Sequence, residues 1–220
     1  MASAALLTAP PRSRRVSQRP AGQPLLTSEL FLDWLEPGVR ADLIGGKILM
    51  HSPVNLRHAD LLNFLDPLLR AYIEAHDIGK LYRENVAVRL SARDTFMPDL
   101  GYFPKEQIAR MAPAHVPFAP TFAVEALSPS SEKRDRTDKF ASYELHGVQE
   151  YWLLDPEKLA HRFYRRSGDM FVEFADGVER IDSFSLPGFW VKRAWLDPER
   201  LPAVRACLAE ITGARPRRRG

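Results

Sequence analysis

The sequence predicts a single α/β domain built around one mixed central sheet with flanking helices. Between residues 55 and 79, apolar residues recur every three or four positions, as on one face of a helix. Several later segments either alternate with a period of two or are apolar throughout, as strands do. Helical and strand patterns interleave along 220 residues without an internal repeat, which is typical of one mixed domain.

The first predicted elements are a short helix, a hairpin and a long helix. Thr27 can cap a helix that runs through Trp34. The pair Gly45-Gly46 separates two apolar runs and supplies the positive φ angles of a tight hairpin turn. Asn55 can cap the long helix and Gly79 is expected to end it, while Pro67 predicts a kink or a division within it.

The centre of the chain reads as strands followed by a helix. Residues 86–90 alternate as a half-buried strand, and residues 96–103 predict a second strand that carries Pro98-Asp99. The run 122–127 is apolar on both faces, so we expect a central strand. A helix should then extend from residues 128–130 to about Leu145, ended by Gly147.

The last part of the chain returns to strands. Residues 151–154 predict a buried strand, and residues 160–166 and 170–175 predict a hairpin. A short strand pair and a helix near residues 202–211 complete the domain.

Basic residues are concentrated at the two ends of the chain. Residues 1–26 contain four arginines and no acid, and residues 212–220 contain four more. Without these eight, 23 basic residues face 28 acidic ones, so the formal charge changes from +3 to about −5. We expect a disordered basic segment over 1–26, one folded domain over 27–211, and a basic tail over 212–220.

Composition excludes several classes of protein. No stretch is apolar and long enough for a membrane-spanning helix. The single cysteine, Cys207, excludes an intramolecular disulfide framework and a cysteine-rich zinc site. We therefore expect a cytoplasmic protein without membrane contact.

Two acidic residues in strand segments are the first candidates for chemistry. Glu125 lies within an apolar strand, where an unpaired carboxylate is costly to bury, and Asp99 raises the same question one strand earlier. Together they could hold a divalent cation such as Mg²⁺, which orients a phosphodiester and activates water. The pattern equally allows Glu125 to pair with a buried arginine and Asp99 to cap a turn.

Five segments resemble, in order, the motifs of one family. Asp42–Ile48 is similar to its hairpin E-L-I-D-G-E-I, and Ser52-Pro53 followed by His58 is similar to its entry into the long helix. Further resemblances are Pro98–Leu100 to P-D-L, Val124–Ser130 to V-E-V-L-S-P-S, and Arg134–Pro156 to R-D-x-x-x-K-x-x-x-Y-x-x-x-G-V-x-E-Y-W-L-V-D-P. Over residues 27–196 the chain resembles the Uma2 family of restriction endonucleases, within the PD-(D/E)xK nuclease superfamily.

The resemblance implies a restriction-endonuclease-like core with an added β-hairpin and Mg²⁺- or Mn²⁺-dependent hydrolysis of DNA. Asp99 and Glu125 correspond to the catalytic acids and metal ligands. Position 127 is leucine where the superfamily pattern has lysine, so the resemblance points to Lys139 on the next helix. Lys139 would orient the attacking water or stabilise the transition state. Asp42 would be a further metal ligand. His58 would contact the metal ligands or take part in proton transfer.

Each of the helical candidates also has an ordinary structural interpretation. Asp135 and Lys139, four residues apart, fit a surface ion pair. His58, in the first turn of its helix, fits a structural hydrogen bond, and Tyr143 and Trp152 fit the core. Gly45 and Lys47 replace the family's aspartate and glutamate, so this hairpin has fewer acids.

Two functional hypotheses follow. The first is an endonuclease that acts on DNA, needs no organic cofactor and, by the habit of its fold, forms a homodimer. The alternative is a catalytically inactive nuclease fold that serves as an interaction or nucleic-acid-binding module. Retained Asp99, Glu125 and Lys139 favour the enzyme, whereas the acidic balance of the core is unlike the basic groove that nucleases normally present.

Overall fold

A computed structural model describes residues 25–213 of the chain. The predicted basic ends, 1–26 and 212–220, lie outside this range except for residues 25, 26, 212 and 213. Within it, no helix combines the length and the hydrophobicity needed to cross a membrane.

A six-stranded mixed sheet forms the centre of the fold, in the order β10-β9-β8-β7-β6-β3. Only β7 and β8 pair in parallel, and the other neighbours are antiparallel. Its strands are β3 (Gly79–Arg83), β6 (Leu100–Pro104), β7 (Phe122–Ala126), β8 (Glu150–Leu154), β9 (Arg162–Ser167) and β10 (Met170–Glu173). The predicted central strand and the β9–β10 hairpin are therefore confirmed.

Two smaller sheets accompany it. An antiparallel sheet in the order β2-β1-β5-β4 contains the predicted Gly45-Gly46 hairpin, and β11 pairs with β12. These strands are β1 (Ala41–Ile44), β2 (Lys47–Met50), β4 (Val88–Arg89), β5 (Thr95–Phe96), β11 (Arg180–Asp182) and β12 (Trp190–Lys192).

The helices begin at the expected caps. Thr27 and Asn55 accept hydrogen bonds from Leu30 N and His58 N, respectively. The helices are α1 (Ser28–Trp34), α2 (Leu56–His76), α3 (Lys105–Ile108), α4 (Glu132–Arg134), a π-helix (Asp135–Lys139), α5 (Phe140–Leu145), a 3₁₀ helix (Arg193–Leu196) and α6 (Val204–Thr212).

The central sheet is covered on both faces. On one face, α2 and α6 pack against apolar side chains that include Val124 and Trp152. On the other, Tyr143 of α5 packs with Ala123 and Tyr151. Because strand residues alternate between faces, Glu125 shares the face of Ala123 and points toward the helices between β7 and β8. The mixed α/β prediction is confirmed.

Three predicted boundaries were wrong: those of the strands 96–103 and 86–90, and the end of the long helix at Gly79. Residues 96–103 form two strands in different sheets, separated at Pro98, which lacks the N–H needed for a continuous ladder. The alternating run 86–90 contributes only β4. Pro67 does not divide α2, and Asp77, in the left-handed conformation, ends that helix before Gly79 begins β3.

Candidate active site

The register of the central sheet brings Asp99 beside Glu125. Leu100 pairs with Val124 and Gly101 with Ala123 in the antiparallel pair β6–β7. Continuing this register by one residue places Asp99 opposite Glu125, on the same face. The backbone N–H of Ala126 donates a 2.7 Å hydrogen bond to Asp99 Oδ2, which fixes that carboxylate at the end of β7.

Lys139 reaches the same place from the helical crossover between β7 and β8. The backbone over Asp135–Lys139 is a π-helix inserted between the α-helical segments α4 and α5. One such turn contains an extra residue and redirects the side chains on it, a feature frequent at functional sites. Both Asp135 and Lys139 are buried there, so their alternative interpretation as a surface ion pair is excluded.

The Lys139 ammonium is surrounded by carboxylates. Its Nζ donates a 2.9 Å hydrogen bond to Glu125 Oε1 and lies 3.2 Å from Asp42 Oδ2 and 3.8 Å from Asp135 Oδ1. Burial lowers the pKa of Lys139, but these carboxylates and Asp99 outweigh burial and raise the pKa above its ordinary value. Lys139 therefore remains a cation at neutral pH.

Asp42 enters from the second sheet and is fully buried on β1. Its Oδ1 accepts a 2.8 Å hydrogen bond from Met97 N, while Oδ2 lies 3.1 Å from His51 Nε2 and 3.7 Å from Arg134 Nε. Burial raises the pKa of Asp42, but Lys139 and His51 outweigh it and hold the pKa below its usual range. Asp42 Oδ1 is thus hydrogen-bonded, whereas Oδ2 has cationic neighbours but receives no hydrogen bond within residues 25–213.

Glu125 and Asp99 behave in the opposite way. Burial raises the pKa of Glu125 well above its usual range despite Lys139, and neighbouring carboxylates add to the rise. Burial also raises the pKa of Asp99, against the attraction of His58 and Lys139. In the described residues, Glu125 Oε2 and Asp99 Oδ1 receive no hydrogen bond, so each carboxylate keeps one oxygen for a ligand.

His58 lies on the Asp99 side of the site. Its Nε2 is 3.8 Å from Asp99 Oδ2, and its side chain is 5% exposed. Within residues 25–213, neither ring nitrogen has a hydrogen-bond partner. The structural hydrogen bond that its position also suggested is therefore absent from this part of the chain.

Asp99, Glu125, Lys139 and His58 line one cleft, whereas Asp42 lies behind Lys139 and does not line it. Its lining residues are Arg40, His51, Ser52, Val54, His58, Glu84, Asp99, Glu125, Ala126, Ser128, Ser130, Ser131, Arg134, Asp135 and Lys139. Gly45 and Lys47 are not among them, so the two acids that this hairpin lacks fall outside the cleft. Over the described range, no group of three or more His, Cys, Asp or Glu side chains has an arrangement suited to a metal ion.

All five predicted site residues converge, and four further residues join them. Tyr143, predicted as core, is fully buried but also donates a 2.9 Å hydrogen bond to Glu125 Oε1. Arg134, Asp135 and His51 approach Asp42 or Lys139. The motif that contains Arg134, Asp135 and Tyr143 gave a signal for three of these. No sequence pattern links His51 to Asp42, because Asp42 lies on β1 and His51 directly follows the paired strand β2.

Comparison with known proteins supports the same fold. The architecture is similar to the crystal structure of a putative nuclease of the DUF820 family from Anabaena variabilis ATCC 29413, with a TM-score of 0.62. The two share 18% identity, and the match covers 84% of this chain and 99% of the other. That likeness shows a shared fold. No curated protein matches this chain in sequence.

The sequence itself matches a family model over residues 28–197, which includes all the residues of the candidate site. The match begins at the first residue of α1 and ends just beyond the 3₁₀ helix. The chain therefore belongs to the Uma2 family, described as putative restriction endonucleases.

Proposed function

We propose that this protein is a divalent-metal-dependent nuclease that hydrolyses phosphodiester bonds in DNA. Asp99 and Glu125 would hold Mg²⁺ or Mn²⁺, and Lys139 would assist. The observation that carries the proposal is a buried lysine bonded to Glu125, beside a second strand carboxylate, in one cleft. Family membership and the printed description of the similar structure as a putative nuclease support the same reaction class.

The donor set suits Mg²⁺ or Mn²⁺. Mg²⁺ keeps several water ligands and is commonly bound through one or two carboxylates together with substrate phosphates. Glu125 Oε2 and Asp99 Oδ1 provide two such oxygens, so a cage of three or more protein ligands is unnecessary. When bound, the cation supplies positive charge to the phosphate oxygens and lowers the pKa of coordinated water.

Lys139 acts as a fixed positive charge in this proposal. Its raised pKa makes it a poor proton acceptor at neutral pH. Held by Glu125 and Asp42, its ammonium orients the attacking water and stabilises negative charge that develops on the phosphate. Because the ammonium is already in place before the substrate binds, little reorganisation is needed during the reaction.

The two remaining predicted residues support this arrangement. Asp42 Oδ2 lies 3.2 Å from Lys139 Nζ, which favours a role of Asp42 in positioning Lys139. Direct binding of the metal by Asp42 stays a prediction. His58, beside Asp99, is assigned to proton transfer or to orientation of that ligand. The homodimer and the cytoplasmic location also stay predictions.

The test is titration of Mn²⁺ and Mg²⁺ into the full chain and into Asp99→Asn and Glu125→Gln variants. These substitutions keep the shape of each side chain and remove its charge. Asp138→Asn is the matched control. Asp138 is an exposed acid on the π-helix that carries Lys139, and it does not line the cleft. The same samples are incubated with supercoiled plasmid DNA.

We expect saturable binding and nicking by the wild type and by Asp138→Asn, with both lost in the two cleft variants. Lys139→Met should cleave at least a hundredfold more slowly, as for the loss of one preorganised charge at the reaction centre. If the folded wild type binds DNA but neither metal nor nicking is detected, the inactive nucleic-acid-binding module replaces the enzyme.

A further inference from the structure

We propose that Arg134 binds a backbone phosphate of the nucleic acid next to the scissile bond. This inference rests on the proposed nuclease function and adds a substrate-positioning residue to it. Arg134 lines the cleft that contains Asp99, Glu125 and Lys139, at the end of α4 where the π-helix begins.

The guanidinium of Arg134 is anchored on one side without being hydrogen-bonded. Its Nε is buried, 3.7 Å from Asp42 Oδ2 and 3.8 Å from Asp135 Oδ1, and has no hydrogen-bond acceptor among residues 25–213. The side chain is nevertheless 16% exposed. The shortest contacts to both carboxylates are made by Nε, and the terminal nitrogens of Arg134 donate no hydrogen bond within residues 25–213.

Two nearby arginines, unlike Arg134, each have a close carboxylate partner for the guanidinium group. Arg40 is paired with Glu84 at 2.5 Å, and Arg136 donates a 3.1 Å hydrogen bond to Glu132 Oε1. Arg136 lies two residues after Arg134 but does not line the cleft. Arg134 thus combines a cleft position with unused donors.

The chemistry of a guanidinium selects an anion. Arginine has five N–H donors in a planar fork that matches two phosphate oxygens, and it stays charged at any physiological pH. Asp42 and Asp135 hold the fork from behind, so less side-chain freedom is lost when a phosphate binds.

Other polar groups in the cleft point to the same kind of ligand. Ser128, Ser130 and Ser131 line it, and the Ser128 hydroxyl lies 3.1 Å from that of Ser130 and 3.0 Å from that of Ser131. His58, 5% exposed, also lines the cleft with both ring nitrogens unpartnered within the described chain. The serines are partnered with one another, but buried polar groups normally have partners, so the unpartnered imidazole of His58 indicates a polar ligand.

The test measures binding of a fluorescein-labelled DNA duplex by anisotropy over a series of NaCl concentrations. Ca²⁺ replaces Mg²⁺ so that the duplex stays intact during the titration. Arg134→Gln and Arg134→Lys are compared with wild type, and Arg136→Gln serves as the matched control. Arg134→Lys keeps the positive charge beside Asp42 and Asp135, so it remains informative if the glutamine variant unfolds.

For Arg134→Gln we expect DNA binding to be about tenfold weaker. The slope of log K against log [NaCl] should be smaller in magnitude by about 0.9, the value for one lost phosphate contact. Arg134→Lys should keep the wild-type slope with reduced affinity, because the charge remains and the fork is lost. Arg136→Gln should resemble wild type, and Mn²⁺ binding should be unchanged in Arg134→Lys.

If Arg134→Gln binds DNA with the affinity and salt dependence of the wild type, the inference about Arg134 is wrong. Metal-dependent cleavage by the wild type would then show that the nuclease proposal still holds. Should Arg134→Gln unfold, a wild-type affinity in Arg134→Lys would overturn the inference about Arg134 instead. Conversely, loss of binding in Arg134→Gln without metal-dependent cleavage by the wild type would uphold the phosphate contact and defeat the proposed enzyme.

Discussion

Individual carboxylates in this site differ sharply in their surroundings. Glu125 is an acid in the middle of an apolar strand, and burial of such a charge is tolerated only with a partner. Lys139 and Tyr143 both donate to its Oε1, and no group among residues 25–213 donates to Oε2. The two donors therefore determine which oxygen of Glu125 faces the cleft.

Removing the tyrosine hydroxyl should loosen this arrangement. In Tyr143→Phe, Glu125 Oε1 keeps only Lys139 as a donor, so we expect a loss of about 1–2 kcal/mol in the free energy of unfolding. DNA cleavage should fall by about tenfold as Glu125 becomes less well oriented. Urea denaturation and single-turnover cleavage measure the two effects.

Tyr151→Phe is the matched control for that substitution. Tyr151 is equally buried, but its hydroxyl donates to the backbone oxygen of Asp135 at 3.1 Å. We expect a similar loss of stability with a smaller loss of cleavage. Equal losses of cleavage in both variants would argue against a specific role for the Tyr143 hydroxyl.

At the scale of elements, the buried carboxylate of Glu150 links β8 to the segment between β11 and β12. Trp152 Nε1 donates to Glu150 Oε1, and Ser183 Oγ and Ser185 N donate to Oε2, each at 2.7 Å. Glu150 does not line the cleft. Its contacts hold one end of β8 in place, away from the reaction centre.

This link should make stability depend on pH. Burial raises the pKa of Glu150 to about 7 from its ordinary 4.5, against the three hydrogen bonds that favour the carboxylate. Between these values the native state binds more protons than the unfolded state, so stability falls as the pH rises. Over this window we expect a loss of about 3 kcal/mol.

Glu150→Gln isolates this contribution, because glutamine does not titrate. Glu125 and Asp99, whose pKa values are also raised, give a slope of the same sign in both proteins. Urea denaturation at pH 5 and pH 7.5 should therefore show a smaller loss of stability in the variant. Identical losses in both proteins would contradict the assignment to Glu150.

The molecule as a whole places its charges unevenly. The arginines of residues 1–24 and 214–220 give the chain its basic pI of 9.1, whereas the remaining residues are acidic overall. Non-specific attraction to DNA depends on cationic groups that release counterions from the phosphates. The terminal arginines are therefore expected to supply affinity, and the cleft to supply chemistry.

Removal of residues 1–24 and 214–220 tests this division. Circular dichroism of the 25–213 fragment first establishes that it folds. Its affinity for DNA should then fall and depend less on salt, because up to eight cations are lost, while Mn²⁺ binding to the cleft stays unchanged. Unaltered salt dependence of DNA binding would show that the terminal arginines do not contact the phosphates.

Much of the fold could be predicted from the sequence. The caps at Thr27 and Asn55, the Gly45-Gly46 turn and the apolar β7 strand depend on local propensity and on the period of burial, which neighbouring residues determine. Asp99, Glu125 and Lys139 could be singled out because charges in or near apolar strands are costly and because their motifs resemble those of a known family.

Tertiary structure alone decided how these residues meet. The sequence does not show that Asp99 lies between two sheets, that the crossover contains a π-helix, or that Asp42 of β1 meets His51, which follows β2. Each of these three features depends on hydrogen bonds or contacts between segments that are distant in the sequence. A local sequence pattern does not reveal such contacts. Local chemistry thus identified the charged groups, while packing determined that Lys139 pairs with Glu125 and that Arg134 keeps donors for a ligand.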